Sequence, residues 1–225
     1  VNYATLFDTI KGYVENDFPT TTWTGSTGAS SDFSDKEQID TFIQQAEQRL
    51  FNGVQILELR KNVTGSCTDG NKYVTVPTDW LATYSVAVVD ATGAYSFLLN
   101  KDVNYIREAF PDPTTEGLPT HYAMFDKDSL ILGPTPDANY TLELHYFYYP
   151  ESIVTAGTSW LGDNFDSVLL YGALLEAYTF MKGEQDVIAA YQKRYDEALV
   201  QLKQLSEGKN RQDMYRTAQA RYPVR

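Results

Sequence analysis

Apolar residues at Tyr3, Leu6, Phe7, Ile10, Tyr13 and Val14 recur at steps of three and four, the spacing that gathers them on one stripe of a short helix. A second stripe, Ile39, Phe42, Ile43, Ala46 and Leu50, follows Ser34 and Glu37, which form a capping box satisfying two free N–H groups at a helix start. Between the two, residues 19–34 are rich in Thr, Ser and Gly and predict a long loop that Trp23 and Phe33 pin to the body. A third helix is expected after Asp163 as N-cap, through Phe165, Val168, Leu169, Gly172, Leu175 and Ala177. A fourth runs through Val187, Ile188, Tyr191, Tyr195, Leu199, Leu202 and Leu205, and the short turn at Gly183 forces these last two to lie antiparallel.

From about 57 to 150 the period changes to two, and turn signals appear at Thr68-Asp69-Gly70, Thr92-Gly93, Gly117 and Gly133-Pro134. Strands are expected at 57–65, 72–76, 84–90, 95–99, 120–125, 129–132 and 139–149, with a short helix near 102–109. In the last strand Tyr140, Leu142, Leu144, Tyr146 and Tyr148 share one face, and Thr141, Glu143, His145, Phe147 and Tyr149 the other. The class is therefore α+β. Residues 1–56 and 159–207 should form a helical bundle, 57–158 a β-rich domain inserted into it, and 208–225 an extended tail.

Charge divides the chain along its length. The tail, GKNRQDMYRTAQARYPVR, holds Lys209, Arg211, Arg216, Arg221 and Arg225 against Asp213 alone. Five of the 18 basic residues and one of the 30 acidic ones lie in it, so residues 1–207 carry 13 against 29, a net of −16. Met214, Tyr215, Tyr222, Pro223 and Val224 give the tail apolar area to bury, which a purely solvating end would not need. It is expected to dock on another protein. Cys67 is the only cysteine and sits in a Gly/Ser/Thr/Asp turn, which excludes an internal disulfide and a thiolate zinc site. No apolar run approaches the roughly 20 residues of a membrane span. The first residues, VNYATLFDTIKGY, lack the basic start and apolar block of a signal peptide, which predicts synthesis in the cytoplasm.

Candidate chemistry is sparse. A Cys67–His121 or Cys67–His145 pair is conceivable, but no nucleophile elbow, phosphate loop, dinucleotide fingerprint or zinc helix accompanies it. Asp126 and Asp128 bracket Lys127 in FDKDS, which reads as a hairpin turn rather than a carboxylate pair. The chain reads as a non-enzyme without cofactor or metal. Seventeen Tyr and three Trp keep a second class open, a tail- or fibre-associated carbohydrate-binding module, since aromatic faces stack on sugars and equally serve protein interfaces.

The segments FIQQAEQRLF (42–51), VPTDWLATYSV (76–86), GLPTHYAMFDKDSLILGPTPDANYTLELHYFYYP (117–150) and SWLGDNFDSVLLYGALLEAYTFMKGEQDVIAAYQKRYDEALVQL (159–202) together resemble, in order and spacing, the head-to-tail adaptor (connector) proteins of tailed bacteriophages, including tail tubular protein A of short-tailed phages. The Arg-rich run of relatives after the second helix is represented only by Arg49, Arg60 and Lys61. The resemblance implies a ring of twelve copies in the virion neck, bound beneath the portal protein and above a downstream tail or nozzle protein, through which double-stranded DNA passes without specific binding. It further implies that the tail is the portal anchor, through Lys209, Arg211, Met214, Tyr215, Arg216, Arg221, Tyr222 and Arg225. An acidic body suits a DNA conduit, because each added cation would strengthen phosphate binding.

Overall fold

The computed structural model describes residues 1–16, 18, 20–24 and 30–210, with 21–24, 30–33 and 208–210 described in backbone only. The side chains of Trp23 and Phe33, expected to pin the 19–34 segment, therefore lie outside the described residues. The chain divides into two compact units, Val1–Leu57 with Pro150–Arg225, and Glu58–Tyr149. The α+β class and the β-rich insert are both as the periodicity indicates.

The first unit is helical. Helix α1 (Tyr3–Val14) starts where Asn2 accepts from the Thr5 N–H and buries Leu6, Ile10 and Val14. Helix α2 (Asp35–Gly53) opens with the Ser34–Glu37 capping box and buries Ile39, Phe42, Ile43, Ala46 and Leu50. Between them the polar segment is not all loop: β1 (Thr21–Thr24) and β2 (Ser30–Phe33) pair antiparallel as a ribbon of their own. The threonines that read as loop composition are also good strand formers, and a partner strand decides between the two.

Two short helices, α4 (Ile153–Ala156) and α5 (Trp160–Asn164), lead back into the unit. Ser152 and Ser159 cap them, so the expected start after Asp163 is corrected: Asp163 lies inside α5, and α6 (Asp166–Phe180) begins without a side-chain cap. Gly157 ends α4 at φ 77°, a left-handed conformation that glycine adopts without strain. Helix α6 is apolar on every side, burying Val168, Leu169, Ala173, Leu174, Leu175 and Ala177, because α1, α2 and α7 (Gln185–Asn210) all pack on it. Gly172 permits that closeness, since a Cβ there would meet Ala46 at 3.1 Å and the Tyr195 ring at 3.3 Å. Leu202 is fully buried further along α7, and the Ser206 hydroxyl donates to the Gln55 carbonyl.

The second unit is a sandwich of two four-stranded sheets. A 3-10 turn at Leu57–Leu59 leads into β3 (Arg60–Cys67), followed by β4 (Tyr73–Thr75), β5 (Ala82–Val89), β6 (Tyr95–Phe97), β7 (Leu99–Asn100), α3 (Val103–Ala109), β8 (His121–Met124), β9 (Ser129–Gly133) and β10 (Tyr140–Phe147). Sheet one is antiparallel in the order β3-β10-β5-β6; sheet two runs β4-β9-β8-β7, with only β7–β8 parallel. Leu142, Leu144 and Tyr146 of β10 face Val86, Val88, Tyr122, Leu130 and Leu132 in the shared core, as the two-residue period requires. The outer face of sheet two is covered by α3, whose Ile106 packs on Ala123 and Ile131.

Candidate interaction surfaces

The first three residues of the tail named by the sequence, 208–210, are helical. Helix α7 continues through Gly208 to Asn210, which places Lys209 in its last turn; Arg211, Met214, Tyr215, Arg216, Arg221, Tyr222 and Arg225 lie outside the described residues.

The reactive side chains of the sequence do not converge. Cys67 is not in a turn but is the last residue of β3, 1% exposed, with its Sγ 3.6 Å from the Tyr140 carbonyl. Burial pushes its thiol up. Its partner in register is Tyr140, on the core side, whereas His145 stands on the opposite face of the same strand, opposite Asn62. His121 belongs to sheet two, where Nδ1 lies 2.8 Å from the Thr120 hydroxyl and the ring packs near Tyr105 and Phe110. Asp126 accepts from the Asp128 N–H in a turn closed by the Phe125 N–H on the Ser129 carbonyl, as FDKDS indicates. Among the described residues no group of three or more His, Cys, Asp or Glu could hold a metal, and no helix is long and apolar enough to cross a membrane.

What the β unit does present is a bare aromatic face. On the outer side of sheet one stand Tyr84, Tyr95 and Phe97, exposed by 51%, 58% and 69%. Arg60 lies over the Tyr84 ring at 4.4 Å and the Phe147 ring at 5.5 Å, His145 packs edge-on against Tyr84 at 4.9 Å, and Tyr95 stacks on Phe97 at 6.2 Å. Glu143 joins the group, accepting from Asn62 Nδ2 at 2.7 Å and raising the Tyr95 phenol through a hydrogen bond. Arg60 Nε is buried without a hydrogen-bond partner, and the guanidinium lies against the two ring faces. Within this β unit, Lys61 donates to Asp79 at 2.8 Å and the Tyr146 hydroxyl donates to the same carboxylate at 2.8 Å, which together, Lys61 foremost, hold Asp79 below the usual carboxylate range. The strand period foretold the outer face of β10, with His145 and Phe147 on it; it did not single out Tyr84, Tyr95 or Phe97, and Tyr84 falls at the register shift opposite His145 and Tyr146, a tertiary fact without a local signal.

Glu47 on α2 is 3% exposed, and its carboxylate accepts the Ile153 N–H at 3.0 Å where α4 begins; burial pushes its pKa up. At the junction of α1, α6 and α7 the rings of Tyr13, Tyr171 and Tyr178 surround Tyr191, whose phenol is pushed up to about 12 by burial and by its bond with Tyr178. Phe18 and Phe42 pack against Phe180, which leaves 57% of its own surface outside, beside a groove of about 300 Å³ between α2 and α6.

Both units, helical ends and sandwich insert, fall within one family model, the SU10 adaptor protein, which matches residues 1–222. This chain belongs to the SU10 adaptor family. No curated protein matches it significantly. As a member of this family it is a structural adaptor of a bacteriophage, a component of the virion neck that meets portal and tail proteins. The family match runs through Arg211, Met214, Tyr215, Arg216, Arg221 and Tyr222, so most of the basic tail is part of the adaptor unit.

Proposed function

We propose that this adaptor forms a ring of twelve copies beneath the portal, joins the DNA-filled head to a downstream tail or nozzle protein, and lets the genome through without gripping it. The observation that carries the reading is the coextensive family match, helical ends and β insert together. Charge agrees with it. Residues 1–207 hold 13 basic residues against 29 acidic ones, so carboxylates facing a channel repel phosphates within a Debye length of about 8 Å. The tail, with Lys209, Arg211, Met214, Tyr215, Arg216, Arg221, Tyr222 and Arg225, anchors the ring to the portal through bidentate arginine pairs and buried tyrosines. Holding a docked tail in one conformation costs about 1–2 kcal/mol per residue, so charge pairing and apolar burial are both needed. In a ring the cost is met cooperatively, because each docked tail raises the effective concentration of its neighbours.

Sedimentation of the matching portal with full-length chain, and with a chain ending at Asn210, tests this. Co-sedimentation of one copy per portal subunit, lost on truncation, is expected; no association with either chain refutes the reading. The bare rings Tyr84, Tyr95 and Phe97 favour a second reading, a tail- or fibre-associated carbohydrate-binding module that stays monomeric or trimeric, which a glycan array would reveal.

A further inference from the structure

Sheet one ends in β3 and sheet two in β4, and both of these open edges line a cleft of about 450 Å³ with Val74, Val76, Leu142 and Leu144 among its walls. We propose that this cleft receives strand β1 from a second copy of the chain, so that the β1–β2 ribbon of one adaptor extends sheet one of the next. The proposal rests on the ring reading above and specifies how its copies join.

Three independent observations lead there. The first is the edge itself. Natural sheets protect open edges with charge, proline or bulges. Residues 62–66 of β3 have none of these: the stretch Asn62-Val63-Thr64-Gly65-Ser66 is uncharged, lacks proline and keeps unbroken register with β10. Gly65 pairs with Leu142, on the cleft side of the sheet, and a Cβ built on it meets nothing within 4 Å. A glycine in mid-strand with open space beside it marks a place where another backbone can approach.

The second is the ribbon. β1 and β2 form a two-stranded sheet by themselves, and such a ribbon is marginal in water until a further strand or surface joins it. Its first strand, Thr21-Thr22-Trp23-Thr24, has the β-branched and aromatic composition that gains most from being paired.

The third is electrostatic and selects the occupant. Each copy carries −12, so two copies repel except where neither surface is charged. The fourteen residues from Phe18 to Ser31 contain no charged side chain, and neither does the lining of the cleft. Two neutral surfaces in a chain that is 21% charged suit a like-charged partner, whereas the basic tail gains nothing from a neutral cleft. Ribbon and cleft are different surfaces, so the contact is heterologous, the kind that closes into rings.

Two single-cysteine chains, Thr22→Cys and Thr64→Cys, each in a Cys67→Ala background, would be mixed with the portal and treated with a short bis-maleimide cross-linker. A cross-linked heterodimer that forms only in the mixture, and is lost when Gly65→Phe fills the cleft in a chain with unchanged circular dichroism, is expected. Portal-bound adaptor without the heterodimer leaves the ring standing and overturns the docking. Heterodimer without portal binding supports the docking and refutes the portal reading, and absence of both refutes both. A cross-link that persists with Gly65→Phe, forms within one chain carrying both cysteines, or appears instead with Gln219→Cys in the tail, overturns the assignment of this cleft to β1 of a second copy.

Discussion

The two units spend their apolar surface differently. The helical unit is assembled from both ends of the chain around α6, on which α1, α2 and α7 all pack so that most of its apolar residues are buried, Phe180 at its end excepted. The β unit is one continuous stretch, and covers only one of its two outer faces, leaving Tyr84, Tyr95 and Phe97 bare on the other. A core built from distant segments works as the scaffold; a sandwich that closes locally can leave a face and an edge free for other molecules. Two kinds of carboxylate environment stand out. In the helical unit burial raises the pKa of Glu47, while in the β unit Asp79, Asp90, Asp112 and Asp126 are all held low by hydrogen bonds.

The sharpest way to break this comparison is Leu174→Ala in α6. Leu174 is fully buried, and its truncation should cost about 2–5 kcal/mol. Calorimetry should show the helical transition falling while the β transition stays, and an equal fall in both would mean the units do not melt separately. Next in size, Glu47→Leu leaves the Ile153 N–H buried without an acceptor and should lower the helical transition by about 1–3 kcal/mol. Glu47→Gln, which still accepts that bond without a charge to desolvate, should not. Tyr146→Phe in the β unit removes the hydroxyl from Asp79 and should cost about 1–2 kcal/mol, read by denaturant titration.

Acid should separate the units by sign. Glu47 has a folded pKa above its unfolded value of 4.5, so the folded state binds more protons between the two, and helical stability rises as pH falls through that window. The four aspartates have folded pKa values below 3.8; their contribution is complete above 3.8 and is lost as pH falls through the lowered values. Melting curves from neutral pH to pH 3 should therefore show the helical transition moving up first and the β transition moving down later. The smallest effect is expected for Phe97→Ser, an exposed substitution that should change stability by less than about 0.5 kcal/mol and, if the bare face is an interface, weaken binding of the neighbouring virion protein in a pull-down.

Much of this was legible in the sequence, and the exceptions have physical causes. The α2 capping box and the alternation of β10 are local, and both are present. The start of α6 was misplaced because Asp163 resembles a cap by type, yet Ser159 caps a separate short helix just before it. The ribbon at 21–33 was hidden because a Thr- and Ser-rich strand differs from a loop only in having a partner. Cys67 reads as a turn residue because Gly, Ser, Thr and Asp surround it, although it ends β3 and strand parity turns it inward. The tail residues, from Lys209 to Arg225, carry their signal in composition and charge alone.

One feature of the insert bears on how such adaptors diversify. The first and last strands of the sandwich are neighbours, with Arg60 paired to Phe147 and the Tyr148 N–H donating to the Leu59 carbonyl at 2.9 Å. The two junctions where the insert leaves and rejoins the helices are thus side by side, like the ends of a cassette. A phage recombining at those two points exchanges ninety-two residues, Glu58 to Tyr149, for another sandwich while every helix of the scaffold keeps its thread.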